Sequence, residues 1–214
     1  MRPFYPEEHP PEKCQGLLSC LVVPRPIAMI TTQAEDGTVN VAPMSYYLPI
    51  TGKPMLVGVT MGTRRERDLS PKDTYENAIR SGDFVINVTT DRIRDRIEDV
   101  AKEFPREVSE LEAMGWTATP SQRVSSPSLA ESPAHLECMI HQVTDFGEAA
   151  VPFSGVHLVV AEVVCVVLDD ALADDDFHVD PLRLRAVGRL GSPHYLRTVP
   201  EGIFSLERVP WSPP

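Results

Sequence analysis

The sequence lacks the long apolar runs and the compact motifs that would assign a function directly. No apolar run reaches the roughly 18–20 residues that a membrane-spanning helix needs, and residues 1–13 lack the apolar segment of a secretory signal. The chain contains no G-x-G-x-x-G or P-loop for a nucleotide, no H-E-x-x-H for zinc and no G-x-S-x-G for a serine nucleophile. We therefore expect a cytoplasmic protein without a membrane span, without a metal site, and without a catalytic acid, base or nucleophile.

Cysteine and basic residues are also scarce. The 4 cysteines contain no C-x-x-C pair, and in a chain of 214 residues they indicate free, buried thiols rather than a disulfide framework. The net charge is −11, from 31 acidic against 20 basic residues. A chain this acidic repels a phosphate backbone, and its one dense basic run, Arg64–Arg67, is interrupted by Glu66. No nucleic-acid partner is expected.

The chain does contain enough apolar sequence for one core. A hydrophobic fraction of 42% with 24% charged residues is ordinary for a globular protein. Short β-branched segments separated by turn signals, with a few helical segments inserted and no regular β–α alternation, predict a mainly β fold, a β-barrel with inserted helices. No repeat or linker divides the chain, so we expect a single domain over 1–214, with the proline-rich residues 1–15 as an N-terminal arm.

The segment 25–47 is the most informative. Ile27–Thr32 and Thr38–Ala42 have the character of strands, and Gly37 between them supplies the backbone freedom of a tight turn. The chain is expected to leave the sheet just after Pro43, because proline cannot donate to a neighbouring strand. Such a hairpin end can bring backbone N–H groups and tyrosines against a flat ligand, although the pattern also fits an ordinary hairpin and loop.

A helix start suited to an anion follows the basic run. Ser70–Asp73 has the order of an N-cap, a first-turn proline and an acid, which predicts a helix running to about Arg80 and ending at Gly82. The first turn, Lys72–Thr74, offers unpaired N–H groups, a lysine charge and a hydroxyl, all of which suit a phosphate, and Arg64 could add a second charge. Plain helix capping and a solvated arginine loop remain open as alternatives.

The remaining segments predict further strands, two helices and an extended linker. The strands are expected over 55–60, 84–89, 135–143, 156–168, 182–190 and 203–209, the helices over 91–104 and 109–114, and the linker over 117–132. His135-x-Glu137 has the first half of a zinc deaminase motif, but the P-C-x-x-C partner is missing. A structural or interface histidine is the favoured interpretation.

Five short motifs follow one another along the chain. They are Arg25-Pro26-Ile27-Ala28; Gly37 with Asn40-Val41-Ala42-Pro43-Met44-Ser45; Lys72-Asp73-Thr74; Ala130-Glu131-Ser132-Pro133 before Leu136-Glu137-Cys138; and Gly188-Arg189-Leu190-Gly191 before Tyr195. In this order they resemble the flavin reductase-like, FMN-binding split-barrel family, which includes flavoredoxin. The resemblance extends roughly from Leu17 to Leu196.

The resemblance implies an FMN-binding split barrel of the Greek-key type, in a homodimer with the cofactor near the subunit boundary. Together with the helix start, it gives the expected FMN-binding residues: Asn40, Val41, Ala42, Pro43, Met44, Ser45, Tyr46, Arg64, Lys72, Asp73, Thr74 and Tyr195. Met44 stands where the family commonly has an aromatic residue.

The activity implied by the resemblance is hydride transfer from NAD(P)H to FMN, followed by electron delivery to a small-molecule or protein acceptor. Two other functions remain open. The first is an FMN-binding electron carrier that takes no hydride from NAD(P)H, and the second is a barrel-shaped interaction protein with a vestigial cofactor site.

Overall fold

The computed structural model describes residues 1–64, 68–148, 150–209 and 211, and its main element is a seven-stranded antiparallel sheet. The strands, in chain order, are β1 (Arg25–Pro26), β2 (Ala28–Gln33), β3 (Val39–Met44), β4 (Tyr47–Gly52), β5 (Met55–Gly62), β6 (Asp83–Val88), β7 (Ala118–Thr119), β8 (Ser128–Leu129), β9 (Ala134–Phe146), β10 (Val156–Leu168), β11 (Val187–Arg189) and β12 (Tyr195–Arg197). The α-helices are α1 (Pro11–Leu21), α2 (Asp73–Ser81), α3 (Ile97–Val100), α4 (Glu110–Ala113) and α5 (Pro181–Leu184).

The order of the large sheet shows that it closes into a barrel. Its strands lie in the order β3-β2-β6-β9-β10-β5-β4, so β3 and β4 occupy opposite edges. Only Ser45 and Tyr46 separate these two strands in sequence, and the N–H of Thr60 on β5 donates to the carbonyl of Tyr46 at 2.9 Å. The sheet must therefore curve until its edges meet. The predicted mainly β barrel with inserted helices is confirmed.

The predicted hairpin is confirmed as β2 and β3. The two strands pair from Ala28 opposite Met44 to Gln33 opposite Val39, and Gly37 in the turn has a φ of +91°, which a side chain would strain. Pro43 lies inside β3 rather than ending it. This is tolerated because β3 is an edge strand, where a missing N–H breaks no second ladder.

Two apolar clusters lie on the two faces of this hairpin. Ala28 and Ile30 on β2 point into the barrel, against Phe84 and Ile86 of β6. Met29, between them in sequence, belongs to a second cluster outside the barrel, as alternation along a strand requires. Ile93, Ile97 and Val100 stand at helical spacing within the segment 91–104, and they pack in that second cluster.

Several predicted elements differ from the structure, first of all at the chain ends. The N-terminal arm is partly helical, because α1 begins at Pro11, with proline in the first turn where its missing N–H costs nothing. The predicted strand over 203–209 is wrong, since these residues form no strand. The strand predicted over 182–190 begins as helix α5 and becomes β11 only at Val187.

Further differences lie within the chain. The predicted helix over 91–104 is a 3-10 turn, Arg94–Arg96, followed by the short α3, and β4 was not predicted at all. The predicted helix over 109–114 is present as α4, whose N-cap Ser109 accepts from the N–H of Glu112. The strands predicted within 55–60, 84–89, 135–143 and 156–168 are confirmed as β5, β6, β9 and β10.

The linker over 117–132 is not a loose surface segment, because buried carboxylates from the barrel hold it. Glu137, fully buried on β9, accepts from the backbone N–H of Gln122 at 2.8 Å and of Arg123 at 2.6 Å. Asp83 on β6 accepts from the N–H and hydroxyl groups of Ser125 and Ser126. Burial raises the pKa of Asp83, but these hydrogen bonds outweigh it and the pKa is lowered.

A charge cluster fastens the small sheet of β1, β11 and β12 to the barrel. Asp91 follows β6 and has a side chain that is 11% exposed. It accepts from Arg197 on β12 at 2.7 and 2.9 Å, from Arg185 at 2.8 and 3.1 Å, and from Arg94 at 3.2 Å. The bonds from Arg197 and the other two arginines lower the pKa of Asp91 despite its burial.

Replacing Asp91 by asparagine should lower the free energy of unfolding by about 1–3 kcal/mol. The lower value applies if solvent screens the half-exposed arginines strongly. Because the folded pKa of Asp91 is depressed, its contribution is present above the unfolded pKa of about 3.9 and is lost as pH falls through the folded value. Urea denaturation at neutral and acidic pH measures this. The control is the exposed Asp95, whose ion pair among the described residues is with Arg94. Equal losses for Asp91→Asn and Asp95→Asn would contradict the account.

Candidate functional site

A pocket of about 80 Å³ lies at the outer edge of β3, where the hairpin meets the start of α2. It is lined by Asn40–Pro43 from the hairpin, Arg64, Lys72–Thr74, the segment 100–104 after α3, and Glu110. Two predicted groups of site residues, separated in sequence by the strands β4 and β5 and a loop, thus share one pocket. Arg65, Glu66 and Arg67, the rest of the predicted basic loop, lie outside the described residues.

The start of α2 differs in one detail from the prediction. The helix begins at Asp73 with Lys72 as its N-cap and without a side-chain cap, so Ser70 is not the N-cap. The reason is that Pro71 still pairs with Thr63 in an isolated β-bridge, which keeps the chain extended as far as Lys72. The helix ends as predicted at Gly82, in the left-handed conformation with φ of +78°.

The pocket wall carries charges of both signs. Asp73 pairs with Arg64 and, at 2.7 Å, with Nε of Arg106, which also pairs with Glu76. Lys72 and Lys102 are further cations on the wall, and Lys102 pairs with Asp99 at 2.8 Å. The N–H groups of Tyr75 and Glu76 donate to the carbonyl of Lys72. Those of Asp73 and Thr74 come before any carbonyl that the helix could offer them, so they add partial positive charge at the same end.

A buried polar network connects the hairpin to α2. Oδ1 of Asn40 accepts from the hydroxyl of Thr74 at 2.7 Å and from that of Thr32 at 3.3 Å. Its Nδ2 donates to Glu110 at 3.0 Å. Thr74 is only 1% exposed, and its hydrogen bond to Asn40 directs the hydroxyl at the hairpin. The hydroxyl fixes the helix start against β3. The backbone N–H of Thr74, rather than its hydroxyl, is then the group that could donate a hydrogen bond to an anion.

Glu110 supports the inner wall of the pocket. Its second carboxylate oxygen accepts from the N–H of Val41 at 3.1 Å. One side chain therefore fixes both the backbone of Val41 and the side-chain amide of Asn40 at the β3 edge. Burial raises the pKa of Glu110, outweighing these hydrogen bonds, and the charge of Asp73 raises it further. The folded protein therefore holds a proton on this carboxyl to higher pH than an unfolded chain does.

The other predicted site residues lie away from this pocket wall. Met44 is buried in the barrel core. Ser45 and Tyr46 form the connection to β4, where the Tyr46 hydroxyl shares a 2.7 Å hydrogen bond with Ser19. Tyr195 on β12 donates to Glu98 at 2.5 Å. The structure thus groups the predicted residues around β3 and α2 and places Tyr195 on the small sheet.

Sequence reasoning missed Glu110 and the segment 100–104 as parts of the pocket. The apolar residues Ile93, Ile97 and Val100 indicate a core-facing segment. Nothing in the local pattern shows that the residues that follow them, up to Phe104, turn toward β3. Glu110 has the appearance of an ordinary first-turn acid of a short helix, which is a common surface residue. Its burial depends on a contact 70 positions away along the chain.

His135 and Glu137 both have hydrogen-bond partners in the fold. His135 Nδ1 and the Asn87 side-chain oxygen share a 2.9 Å hydrogen bond, and Glu137 holds the linker. Burial lowers the pKa of His135, which favours the neutral ring. In the described part of the chain, no three His, Cys, Asp or Glu side chains are grouped so that they could hold a metal ion.

The cysteines are unpaired, but only one is fully buried. Cys138 lies in the barrel core, where burial raises the pKa of its thiol to about 12. Cys14 and Cys165 are half-buried and Cys20 is exposed, so the prediction of buried thiols is wrong for these three. Across 1–64, 68–148, 150–209 and 211, no helix is long and apolar enough to cross a membrane.

A protein-family model, that of the flavin reductase like domain, matches residues 19–183 of the chain. The chain belongs to this family. This chain is 38% identical over 179 residues to the uncharacterized protein BH2278 of Halalkalibacterium halodurans, and the match covers 84% of each chain. Membership supports a flavin cofactor and a function of the oxidoreductase type.

Two solved structures support the fold. Nitrilotriacetate monooxygenase component B from Bacillus cereus matches with a TM-score of 0.88 and 25% identity, over 96% of this chain and 98% of that one. A protein with a split barrel domain from Shewanella frigidimarina matches with a TM-score of 0.78 and 21% identity, over 99% of this chain and 100% of that one. The flavin reductase like fold predicted from the five motifs is confirmed as a split barrel.

Proposed function

We propose that this protein is a cytoplasmic FMN-dependent oxidoreductase that takes hydride from NAD(P)H and passes electrons to an acceptor. The observation that carries the proposal is the pocket between β3 and α2, because it combines a cationic helix start with the edge strand that bears the family motif. Similarity to a monooxygenase component B supports a role in delivering electrons to a second component or substrate.

The donor set of the pocket fits a phosphate ester. Lys72, Arg64 and the first-turn amides of α2 would hold the phosphate of FMN, with Asp73 orienting Arg64 through their ion pair. Since Thr74 bonds Asn40, the hydroxyl acts by fixing the helix start rather than by direct contact.

The pocket volume of about 80 Å³ suits the phosphate end only, since whole-ligand sites are typically ~300–1,000 Å³. The isoalloxazine would therefore extend along the β3 edge from Asn40 toward Ser45 and Tyr46. We propose Tyr195 as a more distant aromatic contact near the ring.

Bound FMN supplies the redox chemistry, accepting hydride and releasing electrons. The residues of this chain bind and orient it, and none is required as an acid or base. Glu110 and Asn40 keep the β3 edge in one position, so that its backbone groups meet the polar edge of the ring without reorganisation. Pro43 limits the flexibility of the same edge by fixing its φ.

The absorbance spectrum of the purified protein tests flavin binding. We expect a flavin spectrum, or its appearance when FMN is added, and FMN rather than FAD in the heat-released cofactor. A protein that stays colourless and does not bind added FMN is the barrel-shaped interaction protein instead. A protein that binds FMN but is not reduced by NADH or NADPH is the electron carrier.

We also propose a homodimer with the flavin near the subunit boundary. The support from this chain is a set of exposed apolar side chains on α1 and on the edge strand β4: Leu17, Leu18, Leu21, Leu48 and Ile50. Exposed apolar patches of this kind mark association surfaces.

Replacing both Leu48 and Ile50 by aspartate should give a monomer in sedimentation velocity and should release FMN. The matched control is aspartate at two exposed apolar positions of the C-terminal segment, Phe204 and Leu206. Full FMN binding by a monomeric Leu48→Asp, Ile50→Asp variant would refute a cofactor site completed by the second subunit.

A further inference from the structure

A second cavity, of about 240 Å³, lies under the small sheet and shares no lining residue with the pocket at α2. Its walls come from β1, β6, β11 and β12 and from Tyr47 at the start of β4. Most of the wall is apolar, formed chiefly by Pro24, Pro26, Ile27, Ile86, Val88 and Leu196. An apolar cavity of about 150 Å³ already accepts benzene, so this one has room for a substituted ring.

The cavity wall also contains a buried cation. Arg25 is 8% exposed, and its guanidinium donates to three backbone carbonyls: Ser19 at 2.5 Å, Val22 at 2.7 Å and Leu190 at 3.2 Å. All three acceptors are uncharged carbonyls, and the ring centroid of Tyr46 lies 5.4 Å from the guanidinium carbon. The Nε of Arg25 has no hydrogen-bond partner among the described residues. Arginine is rarely buried unless an anion balances its charge, so an anion bound in the neighbouring cavity would be stabilised by Arg25.

Two residues that carry hydroxyl groups, Tyr47 and Thr89, line the same wall. Thr89 is 1% exposed, and its Oγ1 has no hydrogen-bond partner among the residues that the structure describes. Tyr47 is half-buried, and its burial raises the pKa of the phenol to about 12, so it remains an uncharged hydroxyl. Buried polar groups normally have a partner, and an unpaired one calls for an explanation.

We propose that this cavity binds a small molecule that has an apolar body and one carboxylate group, at a site distinct from that of the flavin. The proline, isoleucine, valine and leucine side chains enclose the body. The carboxylate balances the charge of Arg25 and accepts a hydrogen bond from Thr89, whose hydroxyl turns about a single torsion. A purely apolar molecule would leave the Arg25 charge unbalanced.

Fluorine NMR with FMN-loaded protein tests the proposal, using 4-fluorobenzoate as the probe. We expect saturable binding that is at least tenfold tighter than that of 4-fluorobenzamide, which has the same shape without the charge. Thr89→Val should weaken 4-fluorobenzoate roughly tenfold, whereas Thr51→Val, at an exposed position of β4, should not. Leu196→Trp at the cavity wall should block it, whereas Leu182→Trp, exposed elsewhere, should not.

Three outcomes would overturn the proposal. No saturable binding by the wild-type protein would mean that water alone occupies the cavity. Equal affinity for the benzoate and the benzamide would show that Arg25 contributes no charge recognition. Binding only in the absence of FMN would assign the cavity to the flavin site. Because flavin binding is measured separately by absorbance, failure here leaves the proposed oxidoreductase function standing.

Discussion

Replacing Lys72 by methionine should weaken FMN binding roughly 10- to 100-fold, which corresponds to about 1.5–3 kcal/mol for a hydrogen bond to a charged group. Methionine keeps much of the side-chain length and removes the charge at the N-cap of α2. Because Lys72 lies at the pocket wall and not in either core cluster, the fold should be retained. Quenching of flavin fluorescence in a titration with FMN measures the affinity.

Riboflavin separates loss of phosphate recognition from general damage. It lacks the phosphate, so Lys72→Met should leave its affinity nearly unchanged while that of FMN falls. Lys53→Met, at an exposed position between β4 and β5, is the matched control and should affect neither ligand. If Lys72→Met weakened both ligands equally, the phosphate would not lie at the start of α2.

Replacing Glu110 by alanine should lower the free energy of unfolding by about 2–6 kcal/mol. The change leaves two buried donors, the N–H of Val41 and Nδ2 of Asn40, without their acceptor, and each such group costs about 1–3 kcal/mol. FMN affinity should fall about tenfold as well, because Asn40 no longer holds Thr74 and the helix start in place. Urea denaturation and FMN titration measure the two effects.

The control for this variant is Glu112→Ala, an exposed acid on the same short helix. It should change neither stability nor affinity by more than about 0.5 kcal/mol. If the two alanine variants behaved alike, Glu110 would not fix the β3 edge.

Glu110 also predicts a pH dependence with the opposite sign to that of Asp91. Its folded pKa is raised by burial, so its contribution to stability is present below the unfolded pKa of about 4.3 and is lost as pH rises through the folded value. Glu110→Gln does not titrate. Its stability should therefore decline less than that of the wild-type protein as the pH is raised above about 4.3. A steeper decline for the glutamine variant would contradict the raised pKa.

The parts of the fold that were predictable depend on local pattern. Gly37 marks the hairpin because a tight turn needs its positive φ, and Gly82 marks the end of α2 because the C-cap residue of that helix also has a positive φ. The strands of β9 and β10 were predictable because they are long and apolar. Sequence patterns of this kind describe the conformation of a few neighbouring residues.

The parts that failed depend on distant partners. The linker over 117–132 appeared extended and exposed, since its acceptors Asp83 and Glu137 lie on other strands. The N-cap of α2 moved from Ser70 to Lys72 because Pro71 pairs across the loop with Thr63. Likewise Glu110, the residue that holds the pocket together, carries no local sign of burial.

For the candidate site, the resemblance contributed more than the pattern. Capping alone explained Lys72–Thr74, and an ordinary hairpin explained Asn40–Pro43. Only the order of the motifs indicated that these segments belong to one cofactor site. The structure brings them to one pocket through the closure of the barrel at Ser45 and Tyr46, which no local pattern shows.

Anaerobic absorbance spectroscopy of the FMN-loaded protein tests the proposed function most directly. NADH and NADPH are added separately in equimolar steps, and the visible flavin band is followed before and after admission of air. We predict that at least one of the two coenzymes bleaches the band at near-equimolar ratio and that the colour returns in air. A band that survives an excess of both coenzymes, yet is bleached by dithionite, would contradict an NAD(P)H oxidoreductase.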